Sequence, residues 1–329
     1  MHSSIGPGHR VRGWIVGGVA SAALLLVQSV QAVEPAALLT AMTDAAREQS
    51  YQGDFIYERT GIFSTHRVWR QAGEPIVERL LRTDGVPQEW VRRDGRLQCT
   101  SALTADSAWR DSGMSAVQPS QLDQWYSLSV LGVTRVANRA ATVVAVEPRD
   151  ALRYAHELYL DVDSGLLLQS LLVNEQGTLL ERFQFTNVEL GPVAAEQLSA
   201  GSLCQPVSKP PANRVADERW LPAWVPAGFA AVRREMRSLN GDPEAVFAQV
   251  FTDGLARFTV FIEPLPEDRT VDDLRAQLGP TVAVSRELLL PEGRYLATVV
   301  GEVPPRVAEQ VAASLSPDFE SDALTKSAP

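Results

Sequence analysis

The sequence contains few of the residues on which metal and nucleophile chemistry commonly depends. It has four histidines and two cysteines, and only His66 and His156 lie beyond the first 32 residues. Neither has a cysteine or a second histidine near it at metal-ligand spacing. Nucleophile-elbow, zinc-protease, phosphate-loop and dinucleotide-binding motifs are also missing. We therefore predict no enzyme activity, no metal and no cofactor, and interpret both histidines as surface or half-buried strand residues.

Lysine is nearly absent, since Lys209 and Lys326 are the only two. Arginine therefore carries nearly all of the positive charge, and two explanations stay open. The planar guanidinium holds phosphates and carboxylates in a fixed geometry. Alternatively, a GC-rich genome favours arginine over lysine. Beyond residue 32, 28 basic residues face 40 acidic ones, a net charge of −12. This charge argues against general nucleic-acid binding, because neutralised phosphates supply most of that affinity.

Long apolar runs are missing after the first 32 residues. That opening stretch has Arg10 and Arg12, an uncharged run over 14–27, and small residues at Val30 and Ala32. The pattern is typical of a secretory signal peptide, and we predict cleavage after Ala32. An uncleaved anchor is the alternative, but the run is shorter than the roughly 20 residues of a spanning helix. We expect the mature protein to be soluble.

The two cysteines, Cys99 and Cys204, leave two interpretations open. An oxidising compartment permits a disulfide between them. Two free, buried thiols are the alternative, because the sequence does not give the distance between the residues.

Periodicity predicts one helix and then many short strands in the first part of the chain. Apolar residues at helical spacing follow Glu34-Pro35 as far as Ala46, and the segment 119–131 is weakly helical. Residues 132–189 are typical of a meander of four or five strands, with hairpin tips at 163–165 and 174–177. We predict an α+β fold in which a curved antiparallel sheet, a half-barrel, wraps around a helix and encloses a pocket.

The second part of the chain follows a proline-containing linker, predicted over 205–217. We predict strands over 229–237, 245–252, 257–263, 282–287 and 294–300, with helices over 270–278 and 304–315. The organisation is then a signal peptide (1–32), an N-terminal domain (33–204), the linker, a smaller C-terminal α/β domain (218–316) and a flexible tail (317–329).

Aromatic and arginine clusters near the start of the second part each allow two interpretations. Trp220, Trp224 and Phe229 form either a docking surface or, as we favour, part of that domain's own core. The arginines between 233 and 237 either meet phosphates or an acidic partner, or form a solvated strand face.

Several segments, in the same order along the chain, resemble the MucB/RseB family. The first part contributes Tyr51-Gln52-Gly53-Asp54-Phe55-Ile56-Tyr57, Glu89-Trp90-Val91 and Leu158-Tyr159-Leu160-Asp161. The second part contributes Trp220-Leu221-Pro222-Ala223-Trp224-Val225-Pro226, Phe251-Thr252-Asp253-Gly254-Leu255 and Val299-Val300-Gly301-Glu302-Val303-Pro304-Pro305. Each segment alone is weak, whereas their order and spacing together are specific.

The resemblance implies a fold and a function. The N-terminal domain would share the fold of the lipoprotein carriers LolA and LolB. The protein would be periplasmic, bind the periplasmic part of a membrane-spanning anti-sigma factor of the RseA/MucA type, and shield it from site-1 proteolysis. Lipopolysaccharide or acyl chains would release it, as part of sigma-E (AlgU-type) regulation. A lipid or lipoprotein carrier is the alternative, and homo-oligomer formation stays open.

Residues for both kinds of contact follow from this hypothesis. We predict that partner contact involves the second domain and the cleft between the domains, and that acyl chains meet inward-facing residues of the first domain. The partner-contact residues are Arg233, Arg234, Phe251 and Phe258, and the lipid-contact residues are Phe55, Tyr57, Trp69, Trp90 and Leu160.

Overall fold

A computed structural model describes residues 34–101, 122–207, 220–238, 245–291 and 293–317. The predicted signal peptide, residues 208–217 of the predicted linker and residues 318–329 of the tail lie outside these ranges. We call residues 34–207 the N-terminal unit and residues 220–317 the C-terminal unit. In the described ranges, no helix is both long and apolar enough to cross a membrane.

In the described residues of the N-terminal unit, eleven strands form one antiparallel sheet, and two helices accompany it. The strand order is β11-β5-β4-β3-β2-β1-β10-β9-β8-β7-β6. The helices are α1 (Pro35–Glu48) and α2 (Ala195–Leu198). The strands are β1 (Tyr51–Arg59), β2 (Ile62–Gln71), β3 (Val77–Arg82), β4 (Gln88–Arg93), β5 (Arg96–Thr100), β6 (Tyr126–Val136), β7 (Arg139–Pro148), β8 (Ala155–Asp161), β9 (Leu167–Val173), β10 (Leu179–Leu190) and β11 (Gln205–Pro206).

This sheet is strongly curved. Cα atoms of β10 and β6 come within 8 Å of each other, although β9, β8 and β7 lie between these two strands in the sheet order. Strands so far apart in a flat sheet would not meet, because neighbouring strands lie about 4.8 Å apart. The predicted α+β fold with a half-barrel sheet around a helix is confirmed.

Helix α1 packs inside the curve through the apolar stripe that its sequence predicts. Pro35 starts the helix, and Leu39 and Met42 are buried against β7 and β8. Gly165, in the β8–β9 turn, has a φ of +73°. A Cβ there would lie 2.9 Å from the Ala41 carbonyl oxygen. Only glycine therefore lets this turn approach the helix so closely.

The end of the N-terminal unit is fixed to the sheet by covalent and hydrogen bonds. Cys99 on β5 and Cys204 form a disulfide. The Gly201 backbone N–H donates to the Glu89 carboxylate at 2.9 Å. Strand β11 then pairs with β5, so residues 205 and 206, predicted as the start of the linker, are part of the sheet.

Where the structure describes the C-terminal unit, six strands form an antiparallel sheet and one helix covers it. The strand order is β13-β14-β15-β18-β17-β16, and β12 and β19 form a separate pair. The elements are β12 (Trp220–Pro222), β13 (Ala230–Ser238), β14 (Ala245–Thr252), β15 (Arg257–Pro264), β16 (Leu274–Leu278), β17 (Thr281–Leu290), β18 (Gly293–Gly301), α3 (Pro305–Ala313) and β19 (Leu315–Pro317). Val307 and Val311 of α3 pack on the sheet together with Phe229, Phe247 and other apolar residues.

The helix predicted over 270–278 is wrong. Leu274–Leu278 is strand β16, which pairs with β17 along its whole length. All five residues are exposed at the sheet edge. Pairing with β17 outweighs the local helix signal of the two aspartates at 272 and 273. The Gly279-Pro280 pair is the turn of a hairpin, with Gly279 at a φ of +58°, rather than the end of a helix.

The weak helix predicted over 119–131 is also wrong from Tyr126 onward, where β6 begins. This strand pairs with β7 from Tyr126 to Val136. Residues 119–121 lie outside the described ranges. Backbone pairing over eleven residues with a neighbouring strand decides the structure here, and the sequence pattern did not reveal that partner.

Candidate functional site

The concave face of the N-terminal sheet carries an aromatic cluster at its centre. Phe55, Tyr57 and Trp90 are all buried in it, as predicted for inward-facing residues. The Phe55 ring lies 4.9 Å from Phe183 and 5.9 Å from Phe185, centroid to centroid. Phe55, Phe183 and Phe185 therefore pack on one another at the inner face.

Trp69 lies on the opposite face, so the prediction that it points inward is wrong. Along β2 the inward positions are Ser64, His66 and Val68, and a strand alternates its side chains. Trp69 is half-buried on the convex face. The Arg79 guanidinium lies 4.8 Å from its ring centre, a cation–π contact.

Leu160 and His66 both point inward. Leu160 is buried in the cluster that contains helix α1, away from the aromatic group. His66 is only 4 % exposed, so it is neither a surface nor a half-buried residue. Its ring stacks on Phe55 with a 5.0 Å centroid distance, and its Nε2 lies 2.8 Å from the Ser64 hydroxyl oxygen.

The two units meet along a contact that we call the seam, and its centre is a buried ion pair. Arg153, between β7 and β8, donates from Nε to Asp253 in the β14–β15 turn at 2.6 Å. Both side chains are 0 % exposed. Tyr126 donates its hydroxyl to the same carboxylate oxygen at 2.9 Å. Burial, followed by the negative charge of Asp253, raises the pKa of Tyr126 well above its usual value.

Other groups accept hydrogen bonds from the remaining donors of the Arg153 guanidinium. It donates to the Asp150 carboxylate and to the Ala227 carbonyl oxygen. The rings of Trp125 and Phe229 lie 5.2 and 5.1 Å from it. Arg153 therefore joins both units through charge, hydrogen bonds and aromatic faces. The packing interpretation of Phe229 is the one that the structure supports, since Phe229 is buried in the C-terminal core.

Three further hydrogen bonds extend the seam. Arg59, at the end of β1, donates to the Leu278 carbonyl oxygen at 3.1 Å and to the Thr281 hydroxyl at 2.6 Å. Tyr154 donates to the Val303 carbonyl oxygen at 3.1 Å. Because these bonds lie on β1 and near β8, the C-terminal unit is attached at several points along the N-terminal sheet.

The apolar core also crosses the seam. Leu255, from the β14–β15 turn, is buried in the cluster formed by Leu39, Met42 and Tyr126 of the N-terminal unit. Gly228, with a φ of +88°, lets the C-terminal backbone lie against Trp125, where a Cβ would come within 2.4 Å of the indole ring. Charge and apolar burial therefore act together at this contact.

A polar cleft of about 340 Å³ opens along the seam. Its charged lining residues are Arg153, Glu175 and Arg306. Arg306, at the start of α3, donates to the Glu175 carboxylate at 2.7 Å and to the Ala151 carbonyl oxygen. Pro304 and Pro305 add apolar surface to the same cleft. Within the described residues, no three histidine, cysteine or acidic side chains gather as a metal site.

Two titratable groups near the seam have displaced pKa values. Burial lowers the pKa of His156 to about 4, and the negative charge of Asp253 opposes this only in part. Burial and then the charge of Glu302 raise the pKa of Glu181 to about 7, against the hydrogen bond from Tyr57 and the charge of Arg59.

The predicted partner-contact residues are not brought together on one exposed surface. Phe251 and Phe258 are buried and stack on each other at 5.0 Å in the core of the C-terminal unit. A partner would reach them only if that core opened. Arg233 and Arg234 have backbone positions on β13, an edge strand, opposite Val250 and Gln249 of β14. Their side chains lie outside what the structure describes.

Sequence reasoning missed the ion pair at the centre of the seam. In the sequence, Asp253 lies in a segment that resembles the MucB/RseB family, and Arg153 lies within the predicted meander over 132–189. The structure shows that Asp253 Oδ1 also accepts the backbone N–H groups of Leu255 and Ala256. The partners are 100 residues apart, and a single sequence contains no local signal for such a pair.

Comparisons with known proteins match nearly all of the described chain. The family model for the MucB/RseB N-terminal domain matches residues 34–207, and the model for the MucB/RseB C-terminal domain matches residues 214–316. The chain belongs to the MucB/RseB family.

Individual members of this family align over most of the chain. The sigma factor AlgU regulatory protein MucB of Pseudomonas aeruginosa is 47% identical over 301 residues, covering 90% of this chain and 95% of that protein. The sigma-E factor regulatory protein RseB of Escherichia coli K12 is 27% identical over 319 residues, covering 92% and 97%. A crystal structure of MucB in complex with MucA(peri) matches with a TM-score of 0.74 and 46% identity, covering 87% of this chain and 99% of that one.

Proposed function

We propose that the protein is a periplasmic negative regulator that binds the periplasmic domain of a membrane-spanning anti-sigma factor. One observation carries the proposal: the whole two-unit architecture matches MucB as it is found in complex with MucA(peri). The relatives are named as regulatory proteins of sigma factors rather than as enzymes. Docking of the anti-sigma factor would shield it from site-1 proteolysis, because a segment held against a folded surface is inaccessible to a protease.

Release by a lipid is the second part of the proposal. Phe55, Tyr57 and Trp90 line the concave face that an acyl chain would enter, and each buried CH₂ group would contribute about 0.8 kcal/mol. Lipopolysaccharide or an acyl chain bound there would lower the affinity for the partner. The coupling is reciprocal, so the partner would lower the affinity for lipid by the same factor, typically about 5–150-fold.

The test is a binding measurement with the mature protein, residues 33–329. Its affinity for the periplasmic segment of the anti-sigma factor encoded in the same genome is measured by calorimetry, with and without lipopolysaccharide. We expect binding that lipopolysaccharide weakens at least fivefold. Binding without a lipid effect would remove the release step. Uptake of acyl ligand without partner binding would favour the alternative, a lipid or lipoprotein carrier.

A variant pair tests where the partner docks. Arg233→Glu with Arg234→Glu reverses the charge on the edge strand β13 and is expected to weaken partner binding at least tenfold, as loss of charge-assisted hydrogen bonds does. The matched control is Arg47→Glu with Arg135→Glu, which reverses two exposed arginines of the N-terminal unit. Equal affinities for the two double variants would remove β13 from the docking surface.

A further inference from the structure

The inner face of strand β10 changes from apolar to acidic where it reaches the seam. Phe185, Phe183 and Glu181 alternate along this face. Their cross-strand partners on β1 are Phe55, Tyr57 and Arg59, in that order. The row of aromatic side chains on the concave face therefore ends in a carboxylate and a guanidinium.

The C-terminal unit covers this end of the row. Arg59 is only 5 % exposed, and its hydrogen bonds go to Leu278 and Thr281 of the β16–β17 hairpin. The turn of that hairpin lies directly on β10, since a Cβ on Gly279 would be 3.1 Å from the Leu180 carbonyl oxygen and 3.2 Å from the Arg59 Cβ. The C-terminal unit therefore lies against both neighbours of Glu181, Leu180 along β10 and Arg59 across from it on β1.

The groups around Glu181 come from both units. Tyr57 donates its hydroxyl to the Glu181 carboxylate at 2.5 Å. Arg59 on the same strand favours the ionised carboxylate, whereas Glu302, between β18 and α3, repels it. Tyr154 donates its hydroxyl to the carbonyl oxygen of Val303, the residue after Glu302, at 3.1 Å. Burial, and then the negative charge of Glu302, raise the pKa of Tyr154 to about 12. The charge of Arg59 and the hydrogen bond from Tyr57 oppose burial and the charge of Glu302, and burial together with Glu302 outweighs them.

We propose that Glu181 makes the docking of the C-terminal unit onto the N-terminal sheet proton-dependent. With Glu181 protonated, the carboxyl group sits in the seam without repelling Glu302, and the units stay docked. With Glu181 ionised, a charge is held in a partly dehydrated contact beside a second carboxylate, and the seam opens more often.

The direction of the pH effect follows from proton linkage. The docked state holds the proton up to a pH of about 7, whereas the ordinary pKa of a glutamate is 4.5. Docking is therefore strongest below pH 4.5 and weakens as the pH rises to about 7. If the whole displacement of the pKa depended on docking, the docking equilibrium would change by about 300-fold over this range.

Amide hydrogen exchange detects such opening even when the open state is rare. Exchange of the β16–β17 hairpin, residues 274–285, is measured by mass spectrometry between pH 5 and 8 in the mature protein and in its Glu181→Gln variant. Glutamine retains an oxygen that accepts the hydrogen bond from Tyr57. The rate ratio of the two proteins at each pH cancels the intrinsic pH dependence of exchange. Residues 77–93 of the N-terminal unit serve as an internal reference.

We expect the ratio of wild-type to Glu181→Gln rates to rise at least tenfold between pH 5 and 7.5 in the hairpin, but not in the reference segment. Glu302→Gln should remove part of this rise, because it removes the facing charge. Glu147→Gln, at an exposed carboxylate on β7, should leave it unchanged. A ratio that stays constant with pH, or a rise that Glu147→Gln also abolishes, would overturn the proposal.

Discussion

The buried ion pair between Arg153 and Asp253 leads to a quantitative prediction about how the two units are held together. Asp253→Asn removes the negative charge but keeps an oxygen for the backbone N–H groups of Leu255 and Ala256. The turn therefore survives, while a buried guanidinium loses its main counter-ion. Removing one partner of a buried pair costs about 3–5 kcal/mol. We expect about 3 kcal/mol, since Asp150 still pairs with Arg153.

A double-mutant cycle separates the loss of the ion pair from general damage. Arg153→Met alone should also cost about 3 kcal/mol, because Asp253 is then left buried without its cation. The double variant has no unpaired buried charge, so its cost should be well below the sum of the two, by about 2 kcal/mol or more. Asp163→Asn is the control, since this 86 % exposed aspartate lies 3.8 Å from Arg139 and surface pairs contribute at most about 1 kcal/mol.

The assay is urea unfolding of the mature protein, followed by circular dichroism and tryptophan fluorescence. Coincident transitions in the two signals justify a two-state treatment. Separate transitions in the single variants would mean that the substitution in the seam has uncoupled the unfolding of the two units. Additive costs in the cycle, or an Asp253→Asn cost near that of Asp163→Asn, would refute the assigned role of this pair.

Two further perturbations address the disulfide and the half-buried His156. Cys99→Ala with Cys204→Ala should lower the free energy of unfolding by about 2–5 kcal/mol, because the disulfide closes a loop over 105 positions. Wild-type protein in reductant should have the same stability as the double variant. An unchanged urea midpoint in the variant would contradict a stabilising role for the disulfide. His156→Gln should reduce acid sensitivity. The folded-state pKa of about 4 lies below the ordinary 6.5, so stability is complete above pH 6.5 and is lost as the pH falls towards 4. His156 therefore makes stability increase with pH, whereas Glu181 makes it decrease. Thermal unfolding from pH 4 to 8 should show the increase due to His156 in the wild type and not in the His156→Gln variant.

Local patterns predicted those parts of the fold that depend on local signals. Helix α1 follows from its apolar stripe, and β14 from an alternating run with a clear turn after it. The segment at 274–278 was assigned incorrectly because its strand exists only through pairing with β17. Trp69 was assigned to the wrong face because the register in which β2 pairs with its neighbours decides which of its residues point inward. The alternation of residues along β2 does not by itself fix that register.

The candidate site was less predictable than the fold. The aromatic cluster on the concave face was anticipated in Phe55, Tyr57 and Trp90, because strand aromatics commonly point into a core. A cleft between the domains was predicted as part of the partner contact, but the ion pair and hydrogen bonds that hold the seam were not. Its main contacts join residues about 100 to 220 positions apart, and nothing near Arg153 or Arg59 in the sequence distinguishes them from surface arginines.

The position of Leu255 has a consequence for fragments of the protein. This side chain completes the apolar packing around Leu39, Met42 and Tyr126, although it comes from the other unit. A chain ending near residue 207 would leave that packing open to water and would tend to self-associate through it. The boundary between the two family models, at 207–214, therefore separates two sequence modules without separating two independently complete cores.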